Sequence, residues 1–173
     1  MSATPLHSVL PHIDVEAADD AEAVEALVLA AFGPGRYVFL ARRDTVAQAV
    51  SRLRAEQSGL WHVHADGRER ERVKPHTAPV YDGAALAAFV AAAEAGTAAW
   101  ETWFAGNGIA PVRCFYEDIA ADPAAELIRL LAALGRDPAL AGGVAPATAR
   151  LADAESDAWS ARFRAERGLP DGQ

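Results

Sequence analysis

Residues 37–51 read Tyr-Val-Phe-Leu-Ala-Arg-Arg-Asp-Thr-Val-Ala-Gln-Ala-Val-Ser. The first four, Tyr37, Val38, Phe39 and Leu40, form an unbroken apolar run of β-favouring residues, which predicts a short strand covered on both faces, as in a parallel sheet. Asp44 has the short acceptor side chain of a helix N-cap, and Val46, Ala49, Val50 and Leu53 recur at helical spacing over 45–58 until Gly59 stops the helix. Strand, tight junction and helix in succession predict an α/β fold. Downstream, 112–116 predicts a second strand of the same sheet. Asp122-Pro123 then opens a helix carrying Leu127, Ile128, Leu130, Leu131 and Leu134, which closes at Gly135. Between the two units a long helix runs over 82–106, with Leu86, Phe89, Val90 and Ala93 on its packing side and Trp100, Trp103 and Phe104 as core. A polar helix over 153–167 aligns Trp159 and Phe163 at i, i+4. Upstream, Val24, Leu27, Val28 and Ala31 predict an amphipathic helix over 21–32, followed by a turn at Gly33-Pro34-Gly35. Residues 1–18 read as a poorly ordered lead-in and 168–173 as a frayed tail. Residues 66–79 mix Arg68, Arg70, Arg72 and Lys74 with Asp66, Glu69 and Glu71 without an apolar stripe, and read as a mobile surface loop. The reading is one domain over 1–173, mostly helical around a short parallel sheet.

Composition narrows the function classes. Of 173 residues, 42 are alanine, so larger apolar side chains supply only about half of the 51% hydrophobic content and the core must be thin and helix-dominated. Twenty-four acidic against 16 basic residues give a net charge of -8, which argues against nucleic acid as a partner. The single cysteine, Cys114, excludes a disulfide framework and a Cys-based metal cluster and fits a reducing cytoplasm. The apolar run over 84–93 is about half the length of a membrane span and no leader pattern is visible, so the expectation is a cytoplasmic chain without a membrane partner.

Charge is unevenly distributed. Residues 1–35 hold six acids and no Lys or Arg, whereas 36–54 hold five arginines and one acid. Arg42 and Arg43 fall at the carboxyl end of the first strand, where ligands sit in open α/β sheets, and the Asp44 helix adds its N-terminal dipole. A phosphate is the natural guest. Ser51, seven residues beyond Asp44, can share a helix face with it and offer a hydroxyl. The competing reading is a surface arginine paired with Asp44 and an ordinary helix serine. Glu117 reads as a structural carboxylate that caps or pairs nearby rather than a catalytic one. His62, His64 and Asp66 lack a third ligand of diagnostic spacing, so no metal site is expected. His62 is the one candidate general base, without a visible partner. Cys114, inside a buried strand, reads as inert.

The stretch Arg43-Asp44-Thr45-Val46-Ala47-Gln48-Ala49-Val50-Ser51, with Leu40 before it and Gly59-Leu60-Trp61-His62 after it, resembles bacterial sulfotransferases of the trehalose-2-sulfotransferase type. Phe115-Tyr116-Glu117-Asp118-Ile119 through Ala121-Asp122-Pro123 looks like the signature that sulfotransferases carry after a core strand, and the similarity runs through Tyr81-Asp82, Ala99-Trp100-Glu101, Asn107-Gly108-Ile109 and the Trp159/Phe163 helix. The resemblance implies a P-loop-NTPase-like sulfotransferase fold. It also implies 3′-phosphoadenosine 5′-phosphosulfate (PAPS), or its product 3′-phosphoadenosine 5′-phosphate (PAP), as cofactor, and a hydroxylated small molecule or sugar as acceptor. By the same resemblance Arg43 and Ser51 would hold the 3′-phosphate, Tyr116 would lie near the adenine, and Trp61 and His62 would border the acceptor pocket.

The family's opening strand, its Pro-Arg-Ser-Gly-Ser/Thr type loop for the 5′-phosphosulfate and the acceptor-activating carboxylate have no counterpart here, and Pro34 removes an N–H donor from the only early glycine loop. The one lysine, Lys74, falls in the 66–79 segment. The chain thus resembles a truncated sulfotransferase, its C-terminal two thirds. A sheet edge left open in this way would favour a homodimer or a complementing N-terminal chain, and the chain alone would transfer little sulfuryl group. The alternative is a repurposed scaffold, either an accessory binding protein or an enzyme of PAPS-independent chemistry.

Overall fold

The computed structural model describes residues 35–146, 148–149 and 151–170. The helix expected over 21–32, the lead-in over 1–18 and the last three residues of the tail lie outside the described residues. The chain divides into two compact units, Met1–Gly35 and Arg36–Gln173, and every strand and helix described belongs to the second.

Strand β1 (Val38–Ala41) leads through Arg42 and Arg43 into helix α1 (Thr45–Ser58). The Asp44 side chain accepts the Ala47 N–H at 2.8 Å, which satisfies one of the open donors of the first turn. Gly59 ends the helix with φ 76°, and a Cβ there would also lie 2.5 Å from Lys74 Cγ and 2.8 Å from the Lys74 carbonyl oxygen, so both backbone and space require glycine. Strands β2 (Leu60–His64) and β3 (Glu69–Arg72) form an antiparallel hairpin, and helix α2 (Gly83–Gly106) starts at Asp82, which accepts two backbone N–H groups at 3.0 Å. Strand β4 (Val112–Phe115) passes directly into helix α3 (Tyr116–Ala121) and then helix α4 (Pro123–Ala133), capped by Asp122. A 3-10 turn (Pro138–Ala141) and strand β5 (Thr148–Ala149), which pairs with β2, precede helix α5 (Ala154–Arg167).

β1 pairs with β4 in parallel, Val38 opposite Val112 and Ala41 opposite Phe115, which makes the unit α/β with a short parallel sheet. The core lies between three helices: Val46, Ala49, Val50 and Leu53 of α1, Leu86 of α2, and Trp159 and Phe163 of α5. Two polar ties set α1 and α5 antiparallel. Near one end Arg54 of α1 pairs with Asp153 and Glu155 at the start of α5, and at the other Arg164 donates to Asp44 at 2.6 Å. The Arg54 hydrogen bond holds the Asp153 carboxyl well below the usual carboxylate range.

Four expectations are corrected. β1 is not covered on both faces: Phe39 packs edge-on against Phe104, while Val38 and Leu40 are 45% and 60% exposed. An apolar run reports residue type, not which layer covers it. The 66–79 segment contains β3, whose Arg/Glu sequence shows no apolar period because it pairs through backbone and charge, with Arg72 donating to the Ser58 carbonyl at 2.7 Å and the Val73 N–H to the Gly59 carbonyl at 2.9 Å. Trp100 lies on the outside of the aromatic cluster, 53% exposed and stacked on the buried Phe104. Finally, α2 spans 24 residues and is long and apolar enough, by length and composition, to cross a membrane, because alanine on both sides of Glu94 extends the run beyond 84–93; of its residues, Leu86 and Phe104 are buried.

Leu86→Ala removes a fully buried side chain from the three-helix core and is expected to lower unfolding free energy by about 2–5 kcal/mol in urea titration; a loss below about 1 kcal/mol would contradict this core. Asp153 is depressed by its arginine, so its stabilisation is complete above the unfolded aspartate range and is lost as pH falls below it. Asp153→Asn should therefore flatten the acid limb of the stability profile, measured as thermal midpoint between about pH 5 and pH 2.

Candidate functional site

Because β1 and β4 are parallel and in register, the residues that follow each strand emerge side by side: Arg42, Arg43 and Asp44 from β1, Tyr116, Glu117 and Asp118 from β4. Their side chains interlock. Glu117 Oε2 accepts the backbone N–H of Arg43 at 3.1 Å and Oε1 that of Asp44 at 3.3 Å. Burial pushes the Glu117 carboxyl up, but these N–H bonds and the Arg42 charge outweigh it and leave the group below its ordinary range. Glu117 is thus a structural cap between strand end and helix start.

The two arginines face different partners. Arg43 grips Asp118 in a two-pronged pair, Nη1 to Oδ1 and Nη2 to Oδ2 each at 2.7 Å, with its guanidinium 4.1 Å from the Phe115 ring centroid. The Asp118 bond raises the Arg43 pKa, and that of Asp118 is lowered in turn. Arg42 is half-buried and lies 3.8 Å over the centre of the Tyr116 ring. Its Nε is buried with no hydrogen-bond partner, and among the described residues its guanidinium has no carboxylate within ion-pair distance. A buried N–H left unpaired is costly, and Arg42, unlike Arg43, has no carboxylate in its fork among the described residues. An aromatic face, an unpaired guanidinium and a helix N-terminus fit a phosphorylated ligand that carries a flat base.

Ser51 lies elsewhere. It opens on a cavity of about 650 Å³ lined also by Arg54, Ser58, Arg72, His76 and Ser156, a lining that includes none of Arg42, Arg43 or Tyr116. Both cavity arginines are engaged, Arg54 with Asp153 and Glu155, Arg72 with Glu69. The structure therefore brings Arg42, Arg43 and Tyr116 together at the strand ends and sets Ser51 two turns along α1 from them.

On β2, His62 is exposed and its Nδ1 lies 2.6 Å from Glu71 Oε2, the carboxylate partner that the linear sequence did not reveal; Trp61 is half-buried beside it. Asp66 is turned to Arg68 at 2.8 Å, and among the described residues no group of three His, Cys, Asp or Glu side chains is placed to hold a metal ion. Burial pushes the Cys114 thiol up to about 11, with Glu126 adding to the shift, so it is an unreactive core group. The residues that sequence reasoning left without roles are Asp118 and Arg164. The only signal for the difference between Arg42 and Arg43 was their adjacency at a strand end, and adjacency cannot say which of two neighbours turns to a carboxylate.

The sequence pattern of the Stf0 sulphotransferase family matches residues 7–166. A protein described as trehalose 2-sulfotransferase from Mycobacterium tuberculosis (strain ATCC 35801 / TMC 107 / Erdman) is 35% identical over 137 residues, covering 78% of this chain and 48% of that protein. A second protein of that description, from Mycolicibacterium smegmatis (strain ATCC 700084 / mc(2)155), is 32% identical over 136 residues, with 77% and 48% covered. The chain spans about half the length of the curated relatives it matches.

Glu117→Ala leaves the Arg43 and Asp44 N–H groups without their acceptor and is expected to cost about 1–3 kcal/mol of stability in urea unfolding, with Glu117→Gln costing less because one amide oxygen can still accept. An alanine variant as stable as wild type would show that this cap does not hold the junction.

Proposed function

Because the chain belongs to the Stf0 sulphotransferase family, we propose that its strand-end site binds the 3′-phosphoadenosine part of PAPS, with Arg42 on a phosphate and Tyr116 beside the adenine. The observation that carries this reading is the buried, unpaired Nε of Arg42 above the Tyr116 ring. The phosphate contact that the family resemblance implied for Arg43 passes to Arg42, since the Arg43 fork is filled by Asp118. PAPS supplies an activated sulfuryl group, and its transfer to a hydroxyl leaves PAP. In this reading the chain's own residues bind and orient: Arg42 fixes the nucleotide by charge, Tyr116 by its ring, and Glu117 keeps the two loops in register.

On the acceptor side, Trp61 and His62 stand beside a hydroxylated small molecule or sugar. His62 Nδ1–H donates to Glu71, which leaves Nε2 as the position able to take a proton from an acceptor hydroxyl. Sulfuryl transfer also needs donors at the 5′-phosphosulfate, and the described residues include no glycine-rich loop after a strand to supply them. A complementing polypeptide packed against the exposed Val38 and Leu40 of β1 would bring such donors, and a second copy would cover the same surface without them.

Titration calorimetry with PAP tests the nucleotide site. Arg42→Ala is expected to weaken binding by on the order of 10- to 150-fold, the loss of one charge-assisted contact, and Arg43→Ala by less than about 5-fold. Equal affinities of wild type and Arg42→Ala would remove Arg42 from the site, and no binding by the wild-type chain would favour a scaffold that has left PAPS chemistry.

A further inference from the structure

Six formal charges meet at the strand ends: Arg42, Arg43 and Arg164 against Asp44, Glu117 and Asp118, for a net charge of zero. Each carboxylate has a distinct task. Asp44 caps α1 and holds Arg164, and Glu117 accepts two backbone N–H groups. Asp118 does neither; its two oxygens fill the Arg43 fork in the geometry that a phosphate would use. Both members of this pair are exposed, with 47% and 43% of side-chain surface accessible, so the contact is wet and weakly held.

We propose that Asp118 restrains ligand binding at the strand-end site: its carboxylate sits in the Arg43 fork as an internal anion that an incoming phosphate must outcompete. The inference rests on the reading of this site as a nucleotide-phosphate site. A ligand arriving at the wild-type protein meets one uncompensated guanidinium, Arg42, and gains a second only by displacing Asp118. A dianionic phosphate monoester makes that exchange more favourably than a monoanionic sulfate ester or phosphodiester, because the attraction to Arg43 grows with ligand charge, while the attraction lost with Asp118 lowers the affinity of each ligand that displaces it by the same amount. The pair thus holds the affinity of the site for phosphate below what two open guanidinium groups would give. Glu117, tied by backbone bonds, stays in place in both states.

Calorimetry with PAP on wild type, Asp118→Asn and the double variant Arg43→Ala/Asp118→Asn tests this, each variant first shown by circular dichroism to be folded. Asp118→Asn is expected to tighten PAP by about 3- to 20-fold at low salt, with the gain shrinking as salt approaches about 0.5 M. In the double variant the gain should vanish, since no second fork is released. An unchanged or weaker affinity in Asp118→Asn, with wild type binding PAP, overturns the role of Asp118 and leaves the nucleotide site standing. Absence of PAP binding in all three proteins overturns the site reading and this inference with it.

Discussion

The side-by-side ending of β1 and β4 is the constraint on which the rest of this structure depends. Two parallel strands in register, Ala41 opposite Phe115, deliver two loops to one place, and the Glu117 carboxylate locks them by accepting backbone N–H groups from the other loop. Without that lock Arg42 would have no fixed ring to lie over and Arg43 no fixed carboxylate to grip. A bond from a side chain to backbone is well suited to the task, because it positions the chain path itself and not one mobile side chain.

A second set of ties determines where α1 points. Its apolar stripe packs between α2 and α5, but packing of small side chains, Ala49 and Val50 among them, leaves a helix some freedom to slide. Arg54 with Asp153 and Arg164 with Asp44 hold the α1–α5 pair near both of its ends, and Asp44 serves as cap and counter-ion at once. The result is a helix whose N-terminus, and with it the Arg42–Arg43 junction, is held from three directions: by the strand before it, by α3 through Glu117 and by α5 through Arg164. The separate partners of the two arginines, Tyr116 for Arg42 and Asp118 for Arg43, depend on this fixed junction.

Much was determined by local sequence. Asp44, Asp82, Asp122 and Asp153 each announced a helix start, and each accepts the backbone N–H groups that its position predicts; Gly59 and Gly168 end helices in the left-handed conformation that glycine favours. The α1 stripe, the Trp159/Phe163 pair, the parallel pairing of the two apolar runs and the structural role of Glu117 were legible for the same reason: caps and periodicities act over a few residues, and their physics is contained in those residues. The family was legible too, through short motifs whose order along the chain survives.

What only the tertiary structure decided concerns partners distant along the chain. β3 carries no apolar pattern because hairpin pairing and charge hold it, and the exposure of Val38, Leu40 and Trp100 depends on which layers exist rather than on what those residues are. Arg42 and Arg43 are chemically identical neighbours, and their division of labour was set by residues more than seventy positions away, Tyr116 for one and Asp118 for the other. Ser51 lies on the helix that directly follows both arginines, yet opens on a cavity lined from the start of α5 and the β2–β3 hairpin. Sequence spacing determines which side of a helix a residue occupies; what waits on that side is determined by the packing of the other elements, and so the chemistry of the strand-end site was decided by the fold.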